Sequence, residues 1–156
     1  TELREKVNFS NPILLNKQVL VQRANSENLI RNQLNLAGET IHVKRNASCL
    51  LRIKNLSHEI GDTINIIELK KTNNADLIKL VSEGKINYTV CDQRLAEKHQ
   101  TPELDIKTAI GFPQIEAWAL RKSSPELEES INKFLDSFLK TKAYEDIYNK
   151  YYNEVE

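Results

Sequence analysis

Hydrophobic and polar positions alternate between two periods along most of this chain. Residues 17–23, KQVLVQR, are apolar and β-branched and predict a strand. Residues 40–45, 63–69 and 85–91 repeat that pattern and predict three more. Between them the period lengthens. Leu50, Leu51, Ile53, Leu56 and Ile60 fall at helical spacing over 48–60, closed by Gly61. Ala75, Leu77, Ile78, Leu80 and Val81 do the same over 74–83, ending at Gly84. A short helix is expected over 92–99, strand-like segments over 105–111 and 115–121, and amphipathic helices over 125–139 and about 142–152. A short helical opening is expected around Glu2–Val7, closed by Pro12. Residues 26–38 predict a short helix or a turn-rich connection.

Strand, helix, strand, helix, strand is the order of a parallel sheet covered by helices. Such sheets bind ligands outside the carboxyl ends of their strands. Those ends are Arg45–Ser48, Lys70–Asn73 and Cys91–Gln93. At the first, Asn46-Ala47-Ser48 opens a helix. Ser48 either caps that helix or lends its hydroxyl and the neighbouring amides to an anion such as a carboxylate, and both roles can coexist. At the third, Asp92 suits an N-cap and could also grip a ligand ammonium. An anion site beside a cation site would suit a zwitterion, such as an amino acid or a peptide end. Asn46 and Thr72, on the first two strand ends, complete the candidate set.

The chain has 156 residues, enough for one domain or for one lobe plus part of another. Lys+Arg and Asp+Glu both number 22, which argues against a nucleic-acid partner and gives no support for an electrostatic membrane surface. No apolar run approaches the roughly 20 residues that span a bilayer, and no basic-then-apolar leader opens the chain. The opening TELREKVNFS reads as the middle of a longer chain, so a mature or excised fragment is expected. Cys49 and Cys91 fit no metal spacing and predict two buried thiols, with a disulfide as the alternative in an oxidising compartment. Four Asn-x-Ser/Thr matches are read as chance in an Asn-rich chain.

Enzyme signatures are missing: no Gly-rich phosphate loop, no G-x-S-x-G, no H-E-x-x-H and no Cys-His constellation. Glu128-Glu129 reads as a solvated helix face. His42, His58 and His99 have no partners at catalytic or metal spacing and are expected at the surface. Trp118 and Tyr144, Tyr148, Tyr151 and Tyr152 are expected as core and helix-packing residues. No cofactor and no metal site is expected.

Four segments together resemble the type-II periplasmic solute-binding proteins of the amino-acid class. REKVNFSNPILLNKQVLVQR is similar to the crossing from lobe one into lobe two. LAGETIHVKRNAS is similar to that family's anion-binding turn, and LIKLVSEGKINYTVCD to its acidic strand end. EAWALRKSSPELEESINKFLDSFLKTKAYEDIYNKYY resembles the crossing back and the two C-terminal helices of lobe one. Within the family, YTVCD followed by AWALRK and a closing I-x-x-K-Y-Y is most similar to the binding modules of the membrane-bound lytic murein transglycosylases F.

The resemblance implies an α/β fold: a three-layer parallel-sheet lobe at 23–109, with hinge strands and a partial first lobe at 1–22 and 110–156. It implies that Arg4 holds a ligand carboxylate, Ser48 supports it, and Asp92 holds an ammonium. Two departures stand out. Arg4 sits one residue closer to Phe9 than the family pattern, and the family's Gly-Ser becomes Asn46-Ala47, so the anion site should be weakened or altered.

The implied function is a non-catalytic sensor for an amino acid or muropeptide that regulates a transglycosylase domain, located in the periplasm or cell envelope, with an outer-membrane anchor in the full-length form. The strands that begin lobe one and the catalytic domain are expected to lie outside this sequence, since Glu129-Ser130 does not reproduce the catalytic motif. The alternatives are an amino-acid transporter component presenting solute to a permease, and a degenerate protein-interaction module. An enzyme using the same cleft would need an acid/base partner opposite Asp92. An exposed edge left by an incomplete lobe could pair with a second copy.

Overall fold

The computed structural model describes residues 6–152. The chain divides into two compact units, one of residues 17–112 and one of residues 1–16 with 113–156. The larger unit extends on both sides of the expected 23–109, because the strand at Gln18–Arg23 lies inside its sheet.

That unit carries five strands in one sheet: β3 (Gln18–Arg23), β4 (Thr40–Lys44), β5 (Asn65–Leu69), β6 (Tyr88–Asp92) and β7 (Leu104–Ala109), in the order β5-β4-β6-β3-β7. β4 is parallel to β5 and to β6, as the alternating pattern predicts. β3 is antiparallel to both β6 and β7, so the sheet is mostly parallel with one reversed strand.

Helix α1 (Leu50–Ile60) links β4 to β5, α2 (Asn74–Ser82) links β5 to β6, and α3 (Gln93–Lys98) follows β6. The sheet's side-chain alternation assigns the layers. Leu20, Val90 and Tyr88 pack in one core with Ile53 and Leu56 of α1. Val19, Val21 and Cys91 pack in a second core with Ile78 and Val81 of α2 and Ala96 of α3. The result is three layers, helix on sheet on helices. Residues 29–38 contain a single 3-10 turn, Gln33–Leu36, capped by Asn32.

The helix ends follow local chemistry. Gly61 (φ 72°) closes α1, its N–H donating to the carbonyls of Ser57 and His58. Asn73 and Asp76 form a reciprocal capping box at the start of α2. One buried polar network crosses the sheet margin. The Gln22 amide exchanges hydrogen bonds with the backbone of Ile30 and donates to Asp105, which also accepts from Arg31 at 2.7 Å.

The smaller unit pairs β1 (Val7–Phe9) with β9 (Ala119–Arg121) and β2 (Leu14–Asn16) with β8 (Gln114–Glu116), both antiparallel. Val7 therefore belongs to a strand and not to a helical opening; Lys6 before it is helical, and residues 2–5 of the expected opening lie outside the described residues. Residues 115–121 form two short strands, parted at Trp118, whose backbone exchanges hydrogen bonds with Ser10. Helices α4 (Pro125–Phe138) and α5 (Lys142–Tyr152) complete the unit. Asn8 donates to Glu128 and the Asn11 N–H donates to Asn132, which ties the strands to α4. Glu128 is thus held by a partner, whereas Glu129 is solvated as expected.

Several side chains depart from their expected places. Trp118 is 50% exposed and Tyr151 is 66% exposed, so neither is a core residue. Tyr144 does pack, edge-on to Phe138, with its hydroxyl donating to the Ile13 carbonyl. His58 is exposed, but His42 lies within β4, where burial lowers its pKa. Among the described residues no helix is long and apolar enough to cross a membrane.

Candidate functional site

The order β5-β4-β6 gives the larger unit a topological switch point. From β4 the chain passes through α1, over one face, to β5 on one side. It returns through α2, over the other face, to β6 on the opposite side of β4. Crossovers that diverge in this way leave a crevice beyond the carboxyl ends of the two central strands. Here those strands are β4 and β6. On that rule the candidate binding end is the one between the turn at Asn46–Ser48 and the acidic end of β6 at Asp92, with Thr72 flanking at the end of β5. Four of the five residues singled out from sequence therefore share one end of one sheet. The fifth, Arg4, lies outside the described residues.

The turn after β4 is fixed by its backbone. Asn46 adopts φ 57°, a left-handed conformation that asparagine tolerates better than most residues. Its N–H donates to the Glu68 carboxylate at 3.2 Å, and the Ala47 N–H donates to the Lys44 carbonyl. Below the turn, the Cys49 thiol donates to the Val90 carbonyl at 3.6 Å, linking it to β6. Ser48 does not cap α1. The helix begins at Leu50 with Cys49 at the cap position and no side-chain cap bond. The Leu50 N–H is already taken by the Ala47 carbonyl, so the chain makes one more turn before the helix than the sequence implies. Ser48 is left exposed, and among the described residues its hydroxyl has no hydrogen-bond partner. The capping reading falls, and the hydroxyl is available to a ligand.

Asp92 caps α3 as expected, one oxygen accepting the Arg94 N–H at 2.9 Å. A carboxylate has lone pairs for several donors, so capping leaves capacity for an ammonium. Asp92 is only partly buried, which keeps it open to solutes. On β5's side, the Thr72 hydroxyl donates to the Lys70 carbonyl within its own loop, and Lys71 beside it has φ 58°.

Sequence reading missed three further parts. Gln18 lies opposite Asp92 because β3 runs antiparallel, and its Oε1 is enclosed without a hydrogen-bond partner among the described residues. The Gln93 N–H donates to the Lys17 carbonyl, which places Lys17 at the same end. Arg52 of α1 donates from Nε to the Ile110 carbonyl at 2.8 Å and pairs with Glu59, clamping the exit of β7. No local signal in 17–23 reports that strand's direction, so neither Lys17 nor Gln18 could be placed from sequence.

Cys49 and Cys91 are both free and buried, not joined in a disulfide. Burial pushes the Cys49 thiol up to about 11 and the Cys91 thiol up to about 12. Neither is a nucleophile near neutral pH. No group of three or more His, Cys, Asp or Glu among the described residues could hold a metal ion.

The chain matches a known family. Residues 1–154 match the model of the bacterial extracellular solute-binding proteins, family 3. A membrane-bound lytic murein transglycosylase F of Desulfosudis oleivorans is 30% identical over 100% of this chain and 35% of its own length. Its counterpart in Saccharophagus degradans is 29% identical over 99% of this chain and 31% of its own length. The chain thus spans about a third of the length of the curated relatives it matches.

Solved structures share the fold. An ancestral arginine-binding protein bound to arginine is 22% identical with TM-score 0.70, covering 97% of this chain and 67% of that one. An ancestral amino acid-binding protein, a precursor of cyclohexadienyl dehydratase, is 20% identical with TM-score 0.69, covering 97% of this chain and 64% of that one. With the family model matched over residues 1–154, this chain belongs to the bacterial extracellular solute-binding proteins, family 3.

Proposed function

We propose that this chain is a non-catalytic module that binds an amino acid or a muropeptide-like solute and thereby regulates a lytic transglycosylase in the periplasm or cell envelope. One observation carries the reading. The switch-point crevice sets a free hydroxyl and a left-handed turn at Asn46–Ser48 against the carboxylate of Asp92. The turn suits a ligand carboxylate and Asp92 suits its ammonium. Arg4, by its place in the motif, would supply a second grip on the carboxylate. The regulatory part rests on relatives named as transglycosylases, of which this chain matches about a third. A transporter component is the second reading, favoured by a fold shared with amino acid-binding proteins.

Isothermal titration of the full chain with amino acids and short muropeptides tests the binding. Asp92→Asn is the informative variant, because asparagine keeps the helix cap while the charge is removed. A saturable heat whose affinity falls about tenfold or more in Asp92→Asn is expected, since a charged hydrogen bond contributes about 1.5–3 kcal/mol. No heat with any ligand, or full affinity in the variant, would overturn the reading. If muropeptides bind and free amino acids do not, the transporter reading is set aside.

A further inference from the structure

The net charge of this chain is zero, but in the larger unit the charge is segregated along the sheet. At the end that carries the crevice stand Lys17, Lys44, Arg45, Lys70 and Lys71. The acids there are Glu68, Asp76 and Asp92, each already accepting a backbone N–H. At the far end, the turns that lead into β4, β5, β6 and β7 carry Glu39, Asp62, Glu83 and Glu103, with the cations Arg23 and Lys85 beside them. Ion pairs do not cancel the basic end. The described salt bridges join Arg31 to Asp105, Arg52 to Glu59, and Lys79 and Lys85 to Glu83, and none of the five cations at the crevice takes part.

The backbone places three of these cations together. The Arg45 N–H donates to the Leu69 carbonyl, so Arg45 lies beside the start of the Lys70–Lys71 turn. That turn is held by the Thr72 hydroxyl on the Lys70 carbonyl. All three side chains are exposed. They flank the Asn46–Ser48 turn on the side away from Asp92, because β5 and β6 lie on opposite sides of β4. These three cations therefore border the turn that would take a ligand's first carboxylate.

From this arrangement we infer that the solute is acidic, an amino acid or short peptide with a second carboxylate, and that Arg45, Lys70 and Lys71 select for it. The inference rests on the reading that the crevice binds a zwitterionic solute, and adds the charge of what extends beyond the zwitterion. Unpaired cations around a concave site raise the local concentration of an anion and penalise an uncharged analogue. The interaction runs through exposed side chains, so salt weakens it strongly.

The test compares isosteric pairs on the full chain by isothermal titration: L-glutamate against L-glutamine, and alanyl-glutamate against alanyl-glutamine, with inorganic phosphate as a competitor. The acid of a pair should bind about tenfold more tightly than its amide at low ionic strength. The gap should close near 1 M salt, where the screening length falls to about 3 Å. It should also close in the combined variant Arg45→Gln, Lys70→Gln, Lys71→Asn, in which asparagine suits the left-handed position. Amides that bind as tightly as acids would overturn this inference and leave solute binding intact. So would a gap that survives in the combined variant, or phosphate that competes as well as glutamate. No binding by any member of either pair would also overturn this inference, and the muropeptide titration then decides by itself whether the reading it rests on stands.

Discussion

Asp105 offers the sharpest test of how the larger unit is held together. Its side chain is 5% exposed and accepts from Arg31 at 2.7 Å and from Gln22 at 3.2 Å. Burial pushes its carboxyl up, but the hydrogen bonds from Arg31 and Gln22 outweigh burial and hold the pKa below the usual carboxylate value. Asp105→Asn keeps the shape and removes the charge. Gln22 retains both bonds to Ile30, and Arg31, which is half exposed, returns to water at little cost.

The loss is therefore one charge-assisted hydrogen bond at its weaker end, about 1.5 kcal/mol at pH 7. The sign with pH follows from the depressed pKa. The stabilisation is present above the unfolded carboxylate value of about 4 and is lost as pH falls through the lower folded value. Urea unfolding of both proteins, followed by circular dichroism at pH 7 and again near pH 2.5, measures it. The difference should shrink in acid. A difference that holds or widens there, or that is below about 0.5 kcal/mol at pH 7, would refute the reasoning.

Three further outcomes follow from other parts of the fold. Leu20 is 0% exposed on the interior strand β3, so Leu20→Ala should destabilise by about 2–5 kcal/mol in the same urea assay. Asn46→Val should cost about 1–2 kcal/mol, because a β-branched residue resists φ 57°, while Asn46→Gly should be close to neutral. Cys49 and Cys91, buried with raised pKa values, should resist a thiol reagent at pH 8 in the folded chain and react fully in denaturant. Rapid labelling of either in the native state would contradict the packing around β6.

Much of the fold was legible because the local period and the global layers agree. The run from Thr40 to Asp92 alternates strand and helix with glycine or a capping box at the boundaries, and each element lies within a few residues of its expected place. Legibility failed where long-range pairing decides. Gln18–Arg23 reads as a strand, but its insertion between β6 and β7 in reverse direction depends on partners far away in sequence. That reversal brings Lys17 and Gln18 to the crevice. Trp118 looked like core because of its size, yet it separates two short strands and stays half exposed.

Asn46, Ser48, Thr72 and Asp92 fall together at one end of the sheet, as their sequence positions imply, since strand ends follow from strand boundaries. The sequence left open whether Ser48 caps α1, because whether a helix starts at residue 48 or 50 depends on one backbone hydrogen bond, from the Leu50 N–H to the Ala47 carbonyl. The cations Arg45, Lys70 and Lys71 carried no signal in a chain whose charges sum to zero. Their grouping emerges only once β4 and β5 are aligned.

The most direct test of the central claim is where a solute touches the chain. Backbone amide shifts of isotopically labelled protein, recorded by NMR during titration with L-glutamate, report it residue by residue. The account predicts saturable shifts at Asn46–Ser48, Thr72 and Asp92–Gln93, at the carboxyl ends of β4, β5 and β6. Shifts confined to the opposite end, around Glu39 and Asn87, would contradict it.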